Sequence, residues 1–143
     1  MNRQGTALAV LRICIGLFFI FEGLGKIRWF LDSSILTSQL TGWHATLAAG
    51  SISAHYIERI AMPGAVYFAR LVPLGELSCG IALVAGIWTP VAAFVAFFMA
   101  LNFQFASGAV FRYSFLSSGY GLPVLGSTLA LVLGGRGLPW SVR

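Results

Sequence analysis

The first apolar run of the chain constrains its fold more than any other feature. It covers Ala7–Trp29 (ALAVLRICIGLFFIFEGLGKIRW) and carries Arg12 and Glu22 inside it, with Lys26 near its end. About twenty apolar residues in an α-helix cross the hydrocarbon core of a bilayer. We therefore predict a transmembrane helix here. We expect it to be retained rather than cleaved as a signal peptide, because no small-residue cleavage site follows the run.

The charged residues of this helix share one face with its glycines. At about 100° per residue, a narrow face carries Arg12, Gly16, Gly23 and Lys26, with Glu22 at its flank. A charge that faces lipid at the bilayer centre costs at least ~2.5 kcal/mol, so this face should be turned toward other helices. Small residues let a neighbouring helix approach closely. We therefore expect the two glycines to mark a helix contact.

The composition agrees with a membrane protein. Of 143 residues, 58% are hydrophobic and only 9% are charged, and the mean hydropathy is +0.87. In a soluble domain about a quarter of the residues are charged. This chain has too few polar residues to cover the surface of a soluble core. The formal charge is +5, but the basic residues are scattered along the sequence and form no cluster or stripe. This argues against nucleic-acid binding and favours contact with anionic lipid head groups.

Further apolar runs predict three more spans. The predicted spans lie at about 7–28, 64–86, 90–105 and 119–133. Thr89 is predicted to cap the third span, with Pro90 as its first helical residue. The fold class is therefore all-α, a polytopic four-helix membrane bundle that forms a single domain over residues 1–143.

The segment between the first two spans, about 29–63, is predicted to lie outside the membrane. It should contain a short helix that is capped by Asp32, Ser33 or Ser34, runs through Leu40 and is ended by Gly42. A second, amphipathic helix is predicted over Ser51–Met62. This helix either lies in the membrane interface or packs over the mouth of the bundle.

An antiparallel arrangement of the first two spans places opposite charges at similar depth. In an antiparallel pair, residue numbers rise along one helix and fall along the other, so every two residues at the same depth have numbers that add to the same total. The totals for Glu22 with Arg70 and for Arg12 with Glu76 are nearly equal. We therefore predict these two pairs and a buried charge network that also includes Lys26. Because Arg70 and Glu76 lie about 120° apart on their helix, one pair could instead involve the third or fourth span.

This network has two possible roles. It either neutralises the charges and sets the helix register, or it forms a polar site near the extracytoplasmic end from Glu22, Lys26, Arg70 and Glu76. Residues that could contact a quinone or lipid at the same end are Trp29, Tyr67 and Gln104. The alternative is that the two aromatic residues belong to an interfacial belt and that the glutamine caps a helix.

The cysteines and histidines do not suggest a cofactor of the chain's own. Cys14 and Cys79 lie within predicted spans without a CxxC pair, and we expect both to be buried and free. His44 and His55 both lie in the first loop, so we predict no haem or metal site. We find no nucleotide or phosphate fingerprint.

The glycine and charge positions also carry a resemblance to a known family. The motifs are Arg12-x3-Gly16-x6-Gly23-x2-Lys26 in the first span and Glu76-x3-Gly80-x2-Leu83-x2-Gly86-x2-Thr89-x2-Ala92-Ala93 across the next two. From Arg12 to about Met99 the chain resembles the DoxX/DoxD family of small bacterial membrane proteins. The resemblance implies a four-helix membrane bundle. The glycines that we expect at helix contacts are Gly16, Gly23, Gly80 and Gly86.

The resemblance also limits the expected function. Some members resemble the small subunit of an archaeal thiosulfate:quinone oxidoreductase, and others associate with redox partners. We therefore expect a non-catalytic membrane subunit or assembly factor of a larger redox or energy-converting complex, without an enzymatic activity of its own. The alternative is a quinone-reactive subunit that uses Glu22, Lys26 and Arg70. A quinone, lipid or pigment could bind at the bundle surface.

The expected location is the bacterial cytoplasmic membrane. An even number of spans places both termini on the same side of the membrane. Because the first loop is large and the second turn is short, we expect both termini to be cytoplasmic. The expected partners are membrane lipids and a larger membrane complex, and not nucleic acid.

Overall fold

Helices account for nearly all regular structure in the computed structural model, which describes residues 2–142. The α-helices are α1 (Arg3–Gly25), α2 (Ser34–Thr46), α3 (Ile52–Tyr56), α4 (Ala65–Ala85), α5 (Thr89–Ala106) and α6 (Leu122–Gly134). Short 3-10 turns lie at Ile27–Phe30, Ala109–Phe111 and Tyr113–Leu116, and Ile57–Ala61 forms a π-helical turn after α3. Within the described residues no strand is present. The predicted all-α class is confirmed.

Three of these helices, α1, α4 and α5, are long and apolar enough to cross a membrane. The region of the fourth predicted span contains α6, an apolar helix of only 13 residues. At 1.5 Å per residue it is about 20 Å long, against about 30 Å of bilayer hydrocarbon. The structure therefore supports a helical membrane protein with three spanning helices and one shorter apolar helix.

Glycines bring α1 and α4 into close antiparallel contact. A Cβ atom built on Gly16 would lie 2.8 Å from the carbonyl oxygen of Gly80, and one built on Gly80 would lie 2.7 Å from the carbonyl oxygen of Gly16. A Cβ atom on Gly23 would lie 3.1 Å from the carbonyl oxygen of Pro73. Side chains at these positions would push the backbones apart, so glycine is what permits the crossing.

The register of this crossing differs from the register that the charges predicted. Arg12 lies beside Gly86 rather than Glu76, and Glu76 pairs with Lys26. Arg70 is exposed and donates to the carbonyl oxygen of its own helix neighbour Val66 at 2.9 Å. The predicted Glu22–Arg70 and Arg12–Glu76 pairs are therefore wrong. The backbones can approach only where glycines face each other, and this steric requirement sets the register before the charges find partners.

The core lies between α1, α4, α5 and α6. Its members include Ile15 and Phe19 of α1, Leu83 of α4, Ala93 of α5 and Leu131 of α6. Of these four helices, α1 and α4 form one antiparallel pair, and α5 and α6 form another. The core therefore joins two helix pairs side by side.

The long loop folds over one end of these helices. In α2 the helix begins at Ser34, whose amide donates to the Asp32 carboxylate at 3.0 Å. It continues to Thr46, so the predicted end at Gly42 is wrong. Glycine costs a helix only about 1 kcal/mol, and here Trp43 stacks edge-on against Phe103 with ring centroids 6.0 Å apart.

The segment that contains α3 packs over the end of α5. Ser53 donates to the carbonyl oxygen of Phe105 at 2.6 Å, and the Tyr56 hydroxyl donates to the Asn102 side chain at 2.6 Å. Ile57, at the start of the π-helical turn, is fully buried. The segment therefore packs over the mouth of the bundle, as one of the two predictions has it, while Ile52 and Ile60 stay exposed.

The protein thus has two different ends. We call the end that carries residues 26–64 and 107–121 the loop end, and the end that carries residues 86–88 and 135–142 the tail end. At the tail end, Val142 donates its amide to the carbonyl oxygen of Ala85 at 2.9 Å. Trp88 adopts a left-handed conformation with φ 44°, and Thr89 is the first residue of α5. Thr89 was predicted to be the N-cap residue of this helix. This prediction is wrong by one residue, because the N-cap is Trp88.

Candidate functional site

Lys26 is the centre of a charge cluster at the loop end. Its Nζ atom donates to Glu22 at 2.8 Å and to both carboxylate oxygens of Glu76 at 2.9 Å. The exposed fraction of the side chain is 15% for Lys26, 28% for Glu22 and 4% for Glu76. Charges this far from water persist only when they are paired. We name Glu22, Lys26, Glu76 and Tyr120, described next, the Lys26 cluster.

Tyr120 joins this cluster from the loop that precedes α6. Its hydroxyl donates to the Glu22 carboxylate at 2.8 Å, and its carbonyl oxygen accepts from the Gln104 amide at 3.1 Å. The hydrogen bond to Glu22 raises the pKa of Tyr120 above its ordinary value, because the carboxylate favours the protonated phenol. Tyr120 is therefore held as a hydrogen-bond donor.

A cavity of about 330 Å³ opens beside the Lys26 cluster. Its aromatic walls come from Phe18, Phe19, Trp43, Phe103 and Tyr120, and its side-chain amides come from Gln39 and Gln104. The Lys26 ammonium lies 5.2 Å from the centre of the Phe103 ring. Cavities that bind small organic molecules combine apolar and aromatic walls with a few polar groups. We name this space the Lys26 cavity.

The structure brings together only some of the residues that the sequence predicted for a site. Glu22, Lys26, Glu76 and Gln104 all line the Lys26 cavity. Trp29 is buried in the core of the loop end. Tyr67 and Arg70 are exposed on the outer side of α4 and do not line the cavity.

Three important residues were missed by the sequence analysis. Phe103 lies directly before Gln104, and Tyr120 lies just before the fourth apolar run, so the position of each suggested the loop end. Neither position predicts contact with Glu22 or Lys26. Trp43 lacked any such signal, because it reaches the cavity only through the way that α2 folds over the bundle.

Arg12 belongs to a separate structure at the tail end. It is fully buried, and its guanidinium donates to the carbonyl oxygen of Trp140 at 2.8 Å and to the Ser141 hydroxyl. Its Nε atom has no partner among the described residues. Along α1 it is about 21 Å from Lys26, at 1.5 Å per residue. Arg12 therefore fastens the tail to the bundle and takes no part in the Lys26 cluster.

A larger groove lies at the tail end, with a volume of about 640 Å³. It is lined by the α4–α5 turn and by the tail, including Arg136 and Ser141. Neither of the ion pairs of Lys26 faces it. Of these two sites the Lys26 cavity is the better candidate, because it combines ion-paired side chains with aromatic walls.

The remaining candidates for chemistry lie outside the cavity. Both cysteines are free, with Cys79 buried as predicted and Cys14 exposed. The prediction for Cys14 is wrong because it points away from the α1–α4 contact. In the loop, His44 contacts the Glu58 carboxylate at 2.7 Å. This hydrogen bond lowers the pKa of Glu58, since it stabilises the ionised carboxylate.

Comparison with known proteins gives a family match. A model of the DoxX family matches residues 7–108. No curated protein and no solved structure matches significantly. The matched residues include Glu22, Lys26 and Glu76, whereas Tyr120 lies beyond them.

Proposed function

We propose, from the premise that the chain belongs to the DoxX family of membrane proteins, that it is a membrane subunit that binds a quinone head group in the Lys26 cavity. The observation that carries this proposal is that ion-paired side chains and aromatic rings line the same cavity. The ion-paired side chains of Glu22, Lys26 and Glu76 form what we call its floor. A quinone head is a flat ring with polar atoms at two edges. The rings can contact its faces while the floor contacts its oxygen atoms.

The size of the cavity supports a single ring. Its volume of about 330 Å³ is near the lower limit of about 300 Å³ for small-molecule sites. A nucleotide or a haem needs much more space. One substituted ring fits, provided that its hydrophobic tail leaves the cavity toward the lipid.

The position of the cavity also supports a lipid-soluble ligand. It lies at the loop end of α1 and α5, two helices that can cross a membrane. The head group of a lipid-soluble molecule reaches this level while its tail remains in the hydrocarbon. In this proposal α6 completes a four-helix bundle, the protein resides in the bacterial cytoplasmic membrane, and both termini are cytoplasmic. The loop end then faces the extracytoplasmic side.

The second candidate function is an accessory or assembly subunit that binds no quinone. It is favoured by the outer face of α5, where Phe94 and Phe98 are about half exposed and contact each other edge to face with ring centroids 4.8 Å apart. Such a face suits a helix of a larger redox complex. Purification in a mild detergent should then recover a partner chain in fixed stoichiometry. A protein that remains alone and monodisperse would contradict this candidate.

Quinone binding is tested by titrating the purified protein in lipid nanodiscs with decyl-ubiquinone and following tryptophan fluorescence. We expect saturable binding that Phe103→Ala weakens about tenfold, a change of about 1.4 kcal/mol. The matched control is Phe98→Ala on the same helix, because Phe98 is exposed outside the cavity. Ala100→Phe, which fills the cavity, should also abolish binding.

Two outcomes would refute the proposal. The first is the absence of saturable binding to the wild-type protein. The second is an equal loss of affinity in Phe98→Ala and Phe103→Ala, which would indicate partitioning into lipid around the protein rather than binding in the cavity.

A further inference from the structure

We infer that the Lys26 cavity binds the reduced, hydroquinone form of its ligand more tightly than the oxidised quinone form. This inference rests on the proposed function and goes beyond it, because it names the redox state for which the site is built. It follows from which hydrogen-bonding groups are already used inside the cluster and which remain open.

The strong donors of the cluster are already used. An ammonium group has three N–H donors, and the Lys26 ammonium makes three short contacts, one with Glu22 at 2.8 Å and two with Glu76 at 2.9 Å. Tyr120 has a single O–H donor, which points to Glu22 at 2.8 Å. A carbonyl oxygen that enters the cavity therefore meets no free charged donor.

The strong acceptors remain open. A carboxylate offers about four acceptor positions, and within the described residues the side chain of Glu22 accepts only from Lys26 and Tyr120. Glu22 lines the cavity, and 28% of its side chain is exposed. Glu76 is different, because its side chain is only 4% exposed and both of its oxygens contact Lys26. Glu22 is therefore the accessible acceptor.

A hydroquinone matches this arrangement better than a quinone does. It carries two O–H donors, whereas the quinone carries only carbonyl acceptors. The donors left for a quinone are neutral, namely the Gln39 amide, the Trp43 indole and the second N–H of the Gln104 amide, whose first N–H donates to the Tyr120 carbonyl oxygen. An O–H bond to a carboxylate is roughly twice as strong as a bond between neutral groups. We expect a preference of about tenfold for the reduced form.

The charge of the cluster acts in the same direction. Glu22 and Glu76 provide two carboxylates, and Lys26 is the one cation that pairs with them within residues 2–142. The excess negative charge repels a carbonyl oxygen and attracts a hydroxyl hydrogen. Geometry and charge therefore both favour the hydroquinone.

The test is a pair of titrations in lipid nanodiscs without oxygen. One uses decyl-ubiquinone, and the other uses the same compound reduced beforehand with dithionite. We expect the hydroquinone to bind with a dissociation constant about tenfold lower. Equal constants, or tighter binding of the quinone, would overturn the inference and leave the proposed function standing. If neither form binds, the proposed function fails, and the inference fails with it.

Variants of the acceptor separate this explanation from others. Glu22→Gln replaces one acceptor oxygen by a donor. The ratio of the quinone and hydroquinone dissociation constants should then fall to about one. Glu22→Asp keeps a carboxylate and should retain a preference, which controls for a folding defect. Tyr120→Phe frees an oxygen of Glu22 as a further acceptor, so it should tighten hydroquinone binding and raise the preference. Weaker quinone binding in Tyr120→Phe would identify Tyr120 as a donor to the quinone and contradict our assignment.

Discussion

Replacing Lys26 by methionine should destabilise the protein by about 3–5 kcal/mol. This range is typical when one partner of a buried ion pair is removed and the other charge stays behind. Glu76 is the charge that stays behind, because only 4% of its side chain is exposed and both of its oxygens contact Lys26. Methionine keeps an apolar side chain out to Cε and removes the ammonium group, which lies 5.2 Å from the centre of the Phe103 ring. Glu22 adds less to the cost, since it is more exposed and keeps its bond from Tyr120.

The assay is reversible unfolding in mixed detergent micelles of increasing dodecyl sulfate content, followed by circular dichroism. Lys26→Met together with Glu76→Gln should be more stable than Lys26→Met alone, because no unpaired charge remains, and the cycle should give a coupling of at least ~2 kcal/mol. Arg70→Met is the matched control, because Arg70 is exposed and has no carboxylate partner among the described residues. It should change stability by less than about 0.5 kcal/mol. A cost below about 1 kcal/mol for Lys26→Met, or additivity in the cycle, would refute the reasoning.

Three further predictions use the same unfolding assay or thermal melts. Gly80→Ala should cost about 1–3 kcal/mol through overpacking, whereas Gly126→Ala, which faces open space, should not destabilise; similar costs would contradict the close crossing. Ser141→Ala should cost about 1.5–3 kcal/mol because it removes an acceptor of a buried, charged guanidinium, and no change would show that the tail is not fastened there. His44 lowers the pKa of Glu58, so the stabilisation is complete above pH 4.5 and is lost as the pH falls through the lowered pKa. The difference in melting temperature between wild type and Glu58→Gln should therefore shrink below about pH 4.5, and a constant difference would argue against the contact.

The helices were easier to predict than their contacts. Apolar runs of span length stand out in the sequence, and α1, α4 and α5 occupy three of them. The charge pattern gave the wrong partners for Arg12 and Glu22, because several registers place opposite charges at similar depth. Only steric fit distinguishes these registers. Gly16 and Gly23 of α1 and Gly80 of α4 were expected at helix contacts, but the sequence did not show that Gly16 faces Gly80.

The candidate site could be predicted only in part. Glu22, Lys26 and Glu76 were expected to be polar residues inside a membrane helix bundle, and such residues must find partners. Which of them pair, and what surrounds them, depends on long-range packing. Trp43 reaches the cavity from α2 and Tyr120 reaches it from the loop before α6. No local pattern in the sequence relates either residue to Glu22.

The most direct test of our account is photolabelling of the purified protein in lipid with an azido-quinone, followed by peptide mapping. We predict saturable labelling of residues that line the Lys26 cavity, on α1 around Phe18 and Phe19 and on α5 around Phe103, with protection by excess decyl-ubiquinone. Labelling that is not saturable, or that is concentrated on the exposed side of α4 around Tyr67 and Leu71, would contradict it.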